Sequence, residues 1–418
     1  MSIFGKASIT KVYNKIIKKS IRQPNRFDLF LLFTIIIIIV TPIIINLSFK
    51  KDSPSNQVNL YLSVYFEELF GNELTEKLFL EFEEKNPGIK IRLTEDFDET
   101  DIFFFNEGDF NSFISTEILL ELNSFTNYDS GTRQMAIPLV SFMNMLFYNI
   151  DILTRAGFNS PPKTRDEFLA YARAVYRGDF GAYGAAVSLS RNDNQALSRD
   201  VFSWILAGGI NFWSDPEKPS INTRILINDF NFLNTLNRDG LLASNIFTTT
   251  GEQRLEQFAQ GRVAMMVAST QVIPYLRNRM GDEAFGITTV PFSPTGSRYS
   301  IDISALYTGI NINSEYPDEA WLFLEFLAQN SSLFCEELKA IPGMVANITP
   351  VEYVMEDFFY SKAWDIFESS LIVDNFSGKP NAREYENIFL EEFQIFFESN
   401  RTAQDTLNTI QRRWDAVE

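Results

Sequence analysis

Paired carboxylates are where acid–base chemistry could begin in this chain. Glu67 stands beside Glu68, and Asp96 and Asp98 flank Phe97. A retaining glycosidase needs two carboxyl groups roughly 5 Å apart across a cleft, whereas neighbouring acids usually form a solvated face. Histidine is absent and Cys335 is the single cysteine. That excludes His-based triads, His metal sites, Cys-rich zinc sites and an intrachain disulfide. Any enzyme here would have to work with carboxylates, Lys, Tyr or Ser. "DFDETD" and "RNDNQ" both lack the Asp-x-Asp-x-Asn-Gly spacing of a calcium loop. The expectation is no catalytic residue, no metal and no cofactor.

Without reaction chemistry, the remaining chemistry is recognition, and its elements must build a surface. A chain of 418 residues with 45% apolar content exceeds one ordinary domain, so two lobes are expected. Seven basic residues (Lys6, Lys11, Lys15, Lys18, Lys19, Arg22, Arg26) and no acid occupy the first 26 positions. Removing those seven from the 36 basic residues leaves 29 against 54 acidic ones, a net of −25 for the rest. So acidic a body disfavours nucleic acid and anionic membrane surfaces as partners. Next comes "LFLLFTIIIIIVTPIIINL", Leu29–Leu47, uncharged and, at ~1.5 Å per residue, roughly 28 Å long as a helix. Basic residues stay in the cytoplasm. The expected layout is a basic cytoplasmic tail at 1–28, an uncleaved transmembrane signal-anchor at 29–47 and a tether at 48–57, with the body outside.

From Val58, strand-like and helix-like segments alternate. "VNLYLSVY", "IKIRL" and "DIFFF" read as strands. "ELTEKLFLEFEEKNPG" reads as a helix with Leu74, Leu78 and Phe82 on one face, stopped by Asn86-Pro87-Gly88. "FISTEILLELNSF" is a further helical stretch. "DEAWLFLEFLAQ" aligns Ala320, Phe323, Leu324 and Leu327, and most of the chain from Ala382 is helical, its "EEFQIFF" cluster reading as helix core. This order predicts α/β layers over a mainly parallel sheet. In "YNIDILTRAGFNSPPKTRDEF", residues 148–168, a short helix stops at Gly157. Pro161 and Pro162 then bar helix, and Thr164 opens another with acids in its first turn.

Taken in order, these segments resemble the extracellular solute-binding proteins of family 1, the sugar-type receptors of ABC importers. The landmarks are "FEEKNPGIKI", "DIFFFNEGDF", "AIPLVSFMNMLFYNIDILTRAGFNSPPKTRDEF", "AGGINFW", "FAQGRVAMMVAST", "DEAWLFLEFLA" and "IPGMVAN", from about Val58 to the C-terminus. The resemblance implies a two-lobed α/β fold, periplasmic-binding-protein-like, with three hinge crossings and preceded here by one transmembrane helix. Residues 58–140 with about 306–350 would form the N-terminal lobe, and about 141–305 with 351–418 the C-terminal lobe. The segment ending in Tyr148-Asn149 would be the first crossing, with others near "SIDISALYTGINI" and "NITPVEYVMED".

The resemblance also implies ligand contacts. From the first lobe these are Tyr65, Glu67, Phe105, Asn106 and Asp109, and at the first crossing Phe142 and Asn144. From the second lobe they are Trp204, Trp213, Ser269 and Gln271, with Asp302 and Tyr385 from later segments. Trp213, Phe105 and Tyr385 would meet across the cleft. Structural readings stand beside several: Glu67 as a helix-start acid, Phe105 and Trp204 as core, Tyr385 as an ordinary helix face. Three features depart from the family pattern. Gln271 stands where many relatives carry Trp, "RYSIDIS" replaces a Gly-Gly, and the anchor is a helix rather than a lipid.

The expected function is a monomeric extracytoplasmic receptor that closes on a sugar or oligosaccharide and delivers it to ABC permease subunits. It would sit on the outer side of a bacterial cytoplasmic membrane. The alternative is an anchored sensor without a transport role, and a carboxylate hydrolase is the remote third.

Overall fold

The computed structural model describes residues 57–417, apart from 126–133, 179, 214–217, 222–223, 293–299, 302, 344–351, 373–375 and 377–378. The basic tail, the apolar run, the tether up to residue 56 and Asp302 therefore lie outside the described residues. Among the described residues, no helix is long and apolar enough to cross a membrane. Residues from Val58 onward form one compact unit.

The first lobe opens with β1 (Val58–Ser63), α1 (Tyr65–Lys85), β2 (Ile89–Thr94), β3 (Ile102–Asn106) and α2 (Glu107–Ser115). α1 begins nine residues before Leu74 because a kink at Gly71 (φ 74°) joins an extra turn to the patterned helix. Positive φ is cheap only for glycine. Leu78 and Phe82 are buried as the spacing requires, and the Asn86 N–H caps the helix on the Phe82 carbonyl. The long helix expected over "FISTEILLELNSF" is not formed. α2 stops at Ser115, Glu117 turns left-handed (φ 54°), and Leu119 then bridges Asn311 as extended chain. Burying Leu119 and Leu122 in the sheet's neighbourhood outweighs their helical periodicity.

β4 (Ile137–Asn149) follows, 13 residues long and buried along nearly its whole length. The second lobe contributes α3 (Ile150–Arg155), α4 (Arg165–Arg177), β5 (Tyr183–Ala186), α5 (Asn194–Leu206), α6 (Arg224–Arg238), α7 (Gly251–Ala259), β6 (Val263–Ser269), α8 (Ile273–Met280) and β7 (Phe285–Thr288). The chain returns through β8 (Ser300–Ile301) and β9 (Ile303–Ile310) to α9 (Pro317–Gln329), α10 (Ser331–Leu338) and β10 (Ile341–Pro342). It ends in α11 (Glu352–Glu356), α12 (Phe358–Ser369), β11 (Leu371–Ile372), α13 (Ala382–Glu398) and α14 (Ala403–Asp415).

The helix starts follow local chemistry. The Asn149 side chain accepts from the Ile152 N–H to open α3, and Gly157 (φ 94°) ends the turn after it. Thr164 and Glu167 form a reciprocal capping box on α4, an arrangement whose loss typically costs ~1 kcal/mol. On α9, Ala320, Phe323, Leu324 and Leu327 are all fully buried.

The main sheet runs β2-β1-β3-β9-β4-β6-β5, with β7 and β10 also on β4. It is mixed rather than mainly parallel. β1 is parallel to β2 and β3, and β5 to β6, but β4 and β9 run against their neighbours. The reason lies in β4 itself. Residues up to Met143 pair with β9, whereas Asn144 onward pair with β6 and β7. One strand serves two lobes.

The apolar cores divide the same way. One cluster draws on residues 60–142 and 306–340, with a small satellite around Phe103 and Phe105. Two others draw on 146–290 with 376–417 and on 143–287 with 341–364. Tyr353 packs against clusters of both lobes.

Candidate functional site

β4 passes between the lobes at Phe142-Met143-Asn144, and strand directions determine what surrounds that point. β3 lies antiparallel to β9 with Asn106 opposite Leu306, so β3 and its parallel neighbour β1 end toward the start of β9. Phe142 and Met143 lie opposite Ser304 and Ile303 there. From the other lobe, β6 ends at Ser269, directly opposite Asn144, and β5 runs parallel to β6. The carboxyl ends of β1, β3, β5 and β6 therefore converge on one seam. Crevices beyond strand carboxyl ends are where open α/β sheets take ligands.

The seam is polar although it is buried. Ser141, Asn144, Ser269 and Thr270 are each at most 9% exposed. The Met143 N–H donates to Thr270 Oγ1 at 3.2 Å, and Ser269 Oγ accepts from the Gln271 N–H at 3.3 Å. Gln271 is exposed and Phe142 is buried.

On the first lobe, Tyr65 opens α1 and Glu67 sits half-buried one residue beyond Phe66. Asn106 caps α2 by accepting from the Asp109 N–H at 3.2 Å. Both Asn106 and Asp109 are exposed. The Tyr65 phenol is pushed up by burial, then by the carboxylates of Asp109 and Glu68, so the β1 and β3 loops approach each other. Glu68 is exposed, and so are Asp96 and Asp98. Asp96 Oδ1 takes the Asp98 N–H at 2.9 Å in a local turn, so it is a solvated loop acid.

The aromatic candidates sit differently. Phe105 is 1% exposed, packed on Phe113 and stacked at 5.9 Å on Tyr307. Trp204 packs edge-on at 4.9 Å against Phe168, and its carbonyl accepts from buried Arg165 at 2.6 Å. Trp213 and Tyr385 do meet, at 5.9 Å, but within the second lobe's core, where the Trp414 Nε1–H donates to the Tyr385 carbonyl at 2.9 Å. Phe105 belongs to the other lobe's satellite cluster, so these three rings do not come together.

The segment after β5, weighed above only as a calcium loop, is the part that sequence reasoning passed over. Ser188 and Ser190 are fully buried. The Ser188 N–H donates to Asp200 Oδ2 at 2.7 Å and its hydroxyl to the Thr249 carbonyl at 2.7 Å. Arg254 pairs with Asp200 at 3.0 Å and also donates to the Val267 carbonyl on β6. Burial raises the Asp200 carboxyl despite Arg254 and Arg199, and burial lowers the Arg254 guanidinium to about 10. Asp193 links the starts of two helices, accepting from Ala196 N–H at 3.0 Å and Gly251 N–H at 2.8 Å. A strand followed at once by "SLSRNDNQ" was the available signal. Polar residues at a strand's carboxyl end form either a turn or a site, and only topology tells which.

Among the described residues, no group of His, Cys, Asp or Glu could hold a metal ion. A separate groove of about 590 Å3 between α13 and α14, lined by Arg383, Glu384 and Arg413 among others, contains none of the candidate positions.

The fold has known relatives. Residues 64–332 match the family of bacterial extracellular solute-binding proteins. A binding protein of Brucella abortus (strain 2308) is 25% identical over 205 residues, covering 47% of each chain. This chain thus spans about half the length of that curated relative. Among solved structures, the sugar-binding protein MalE from Xanthomonas citri superposes with a TM-score of 0.66 at 15% identity, covering 86% of this chain and 96% of that one. An ABC substrate-binding protein from Listeria monocytogenes, solved in complex with cycloalternan, superposes with a TM-score of 0.62 at 14% identity, covering 85% and 97%. With its two-lobed fold and a match over more than half its length, the chain belongs to the bacterial extracellular solute-binding proteins.

Proposed function

We propose that this protein is the extracytoplasmic receptor of an ABC importer, taking a carbohydrate into the seam between its lobes and closing over it by a hinge. One observation carries the reading: β4 changes partners between Met143 and Asn144, where a buried run of hydroxyls and an amide faces four converging strand ends. Sugars offer hydroxyls that need paired donors and acceptors, and such a site binds by orienting a few polar groups. The acidic body suits a neutral or locally paired ligand and no nucleic acid. The site residues proposed are Tyr65, Glu67, Asn106 and Asp109 from the first lobe, with Asn144, Ser269 and Gln271 from the crossing and the second. Domain bounds follow the crossings at β4 and β9; the start of the third expected crossing, residues 344–351, lies outside the described residues.

The uncharged 29–47 run behind seven basic residues supports a single-pass anchor, with the body outside the cytoplasmic membrane and permease subunits as partners. Protein that washes from its own membrane with salt alone would contradict the anchor. A thermal-shift screen against mono- and oligosaccharides, polyols and peptides tests the ligand class. A sugar at 100 times its dissociation constant stabilises by ~2.7 kcal/mol. Stabilisation by peptides with none by sugars would overturn the carbohydrate reading.

A further inference from the structure

Arg191 projects from the segment that follows β5, at the same end of the sheet as Ser269 and Asn144. It is exposed, yet one of its nitrogens is held. Arg191 Nε donates to Gln394 Oε1 at 2.7 Å, and Gln394 Nε2 donates to the Leu189 carbonyl at 2.6 Å. Gln394 is only 3% exposed and sits on α13, some 200 residues further along the chain. Both ends of one buried amide are spent on fixing this loop and its guanidinium. Three residues upstream, Ser188 is fastened to Asp200 and Thr249, and two downstream, Asp193 is fastened to α7. The platform is stiff on three sides. Among the described residues, no carboxylate lies within ion-pair distance of Arg191. The arginines near it behave differently: Arg254 and Arg199 both face Asp200.

A surface arginine normally gives up side-chain freedom when it binds. Here the Gln394 contact has removed part of that freedom before any ligand arrives, and both terminal nitrogens remain available as donors. A guanidinium fork presents two parallel N–H groups that fit two adjacent oxygens. In a body of net charge −25, a cation held in place beyond the carboxyl end of β5, with no ion pair among the described residues, stands apart from the paired arginines around it.

We propose that Arg191 is a specificity-determining contact of the second lobe, that Gln394 is its positioning residue, and that the group recognised is a pair of adjacent oxygens on a sugar. Those oxygens belong to the carboxylate of an acidic sugar or to a vicinal diol of a neutral one. This rests on the interlobe reading of the ligand site.

The test is calorimetry on the full chain with two probe sets, oligogalacturonate for the carboxylate and maltose with cellobiose for the diol. Arg191→Ala should lower affinity for whichever probe the wild type binds by tenfold or more. Arg191→Lys should recover only part, because lysine lacks the fork. Gln394→Leu should cost a smaller factor in the wild-type background and nothing further in Arg191→Ala, at an unchanged melting temperature in Arg191→Ala. That non-additivity marks a residue acting through another. Loss on oligogalacturonate that weakens with added salt identifies the carboxylate, and loss on the neutral sugars indifferent to salt identifies the diol. Wild-type binding that survives Arg191→Ala undiminished overturns this inference alone. Equal losses from Gln394→Leu in both backgrounds overturn the positioning role. A wild type that binds neither set overturns the carbohydrate reading and this inference with it.

Discussion

Trp213 and Tyr385 meet edge to face, 5.9 Å between ring centroids and 83° between planes, with Phe376 and Trp414 closing the cluster around them. Each is at most 6% exposed. Their energy goes into holding α13 and α14 to the second lobe. Phe→Ala in a packed interior costs ~3–5 kcal/mol, and replacing Tyr385 by Ala should fall in that range. Denaturant titration should show the loss, while affinity per folded molecule stays within about twofold. Lost binding at an unchanged midpoint would return Tyr385 to the ligand site.

The pH response of stability should carry a signature of Asp229. This carboxylate is completely buried and faces Arg165, whose Nη2 also donates to the Trp204 carbonyl at 2.6 Å. Burial pushes Asp229 up to about 6, against the pull of Arg165. The folded protein therefore takes up this proton at higher pH than the unfolded chain. Its contribution to stability grows as pH falls from about 6 towards 4 and is lost as pH rises through that window. Asp229→Asn lacks it. The stability difference, wild type minus variant, should rise between pH 7 and pH 4 by an amount on the order of 1–3 kcal/mol. A difference that is flat or falls would contradict the assignment.

Cys335 should be inert in the native protein. Its thiol is fully buried on α10, and burial pushes it up to about 12, so almost no thiolate exists at neutral pH. Thiol-reactive dye should label it at the rate of unfolding and completely in denaturant. Rapid labelling under native conditions would show that the first lobe opens locally around α10.

Where one physical effect dominates, the sequence was legible. Ala320, Phe323, Leu324 and Leu327 shared a face because helical spacing allowed nothing else. Thr164 and Glu167 announced a helix start because their reciprocal bonds need only local chain. "FISTEILLELNSF" misled because Leu119 and Leu122 satisfy helical spacing while a distant strand claims them. The mixed sheet was hidden because β4 gives no local sign of changing partners at Met143. Aromatics were the least legible, since Phe105 and Trp213 suit a sugar platform and a core equally until their neighbours are known. Arg191 was missed because its meaning depends on Gln394, about 200 residues away.

Closure over a ligand at the β4 crossing is the central claim, and small-angle scattering of the Val58–Glu418 unit tests it most directly. The radius of gyration is measured with and without the sugar that stabilises the protein in the thermal screen, at saturation established by calorimetry. The account predicts a more compact particle with ligand bound, because two lobes joined at Met143-Asn144 would rotate together around it. An identical scattering profile with the sugar demonstrably bound would contradict it.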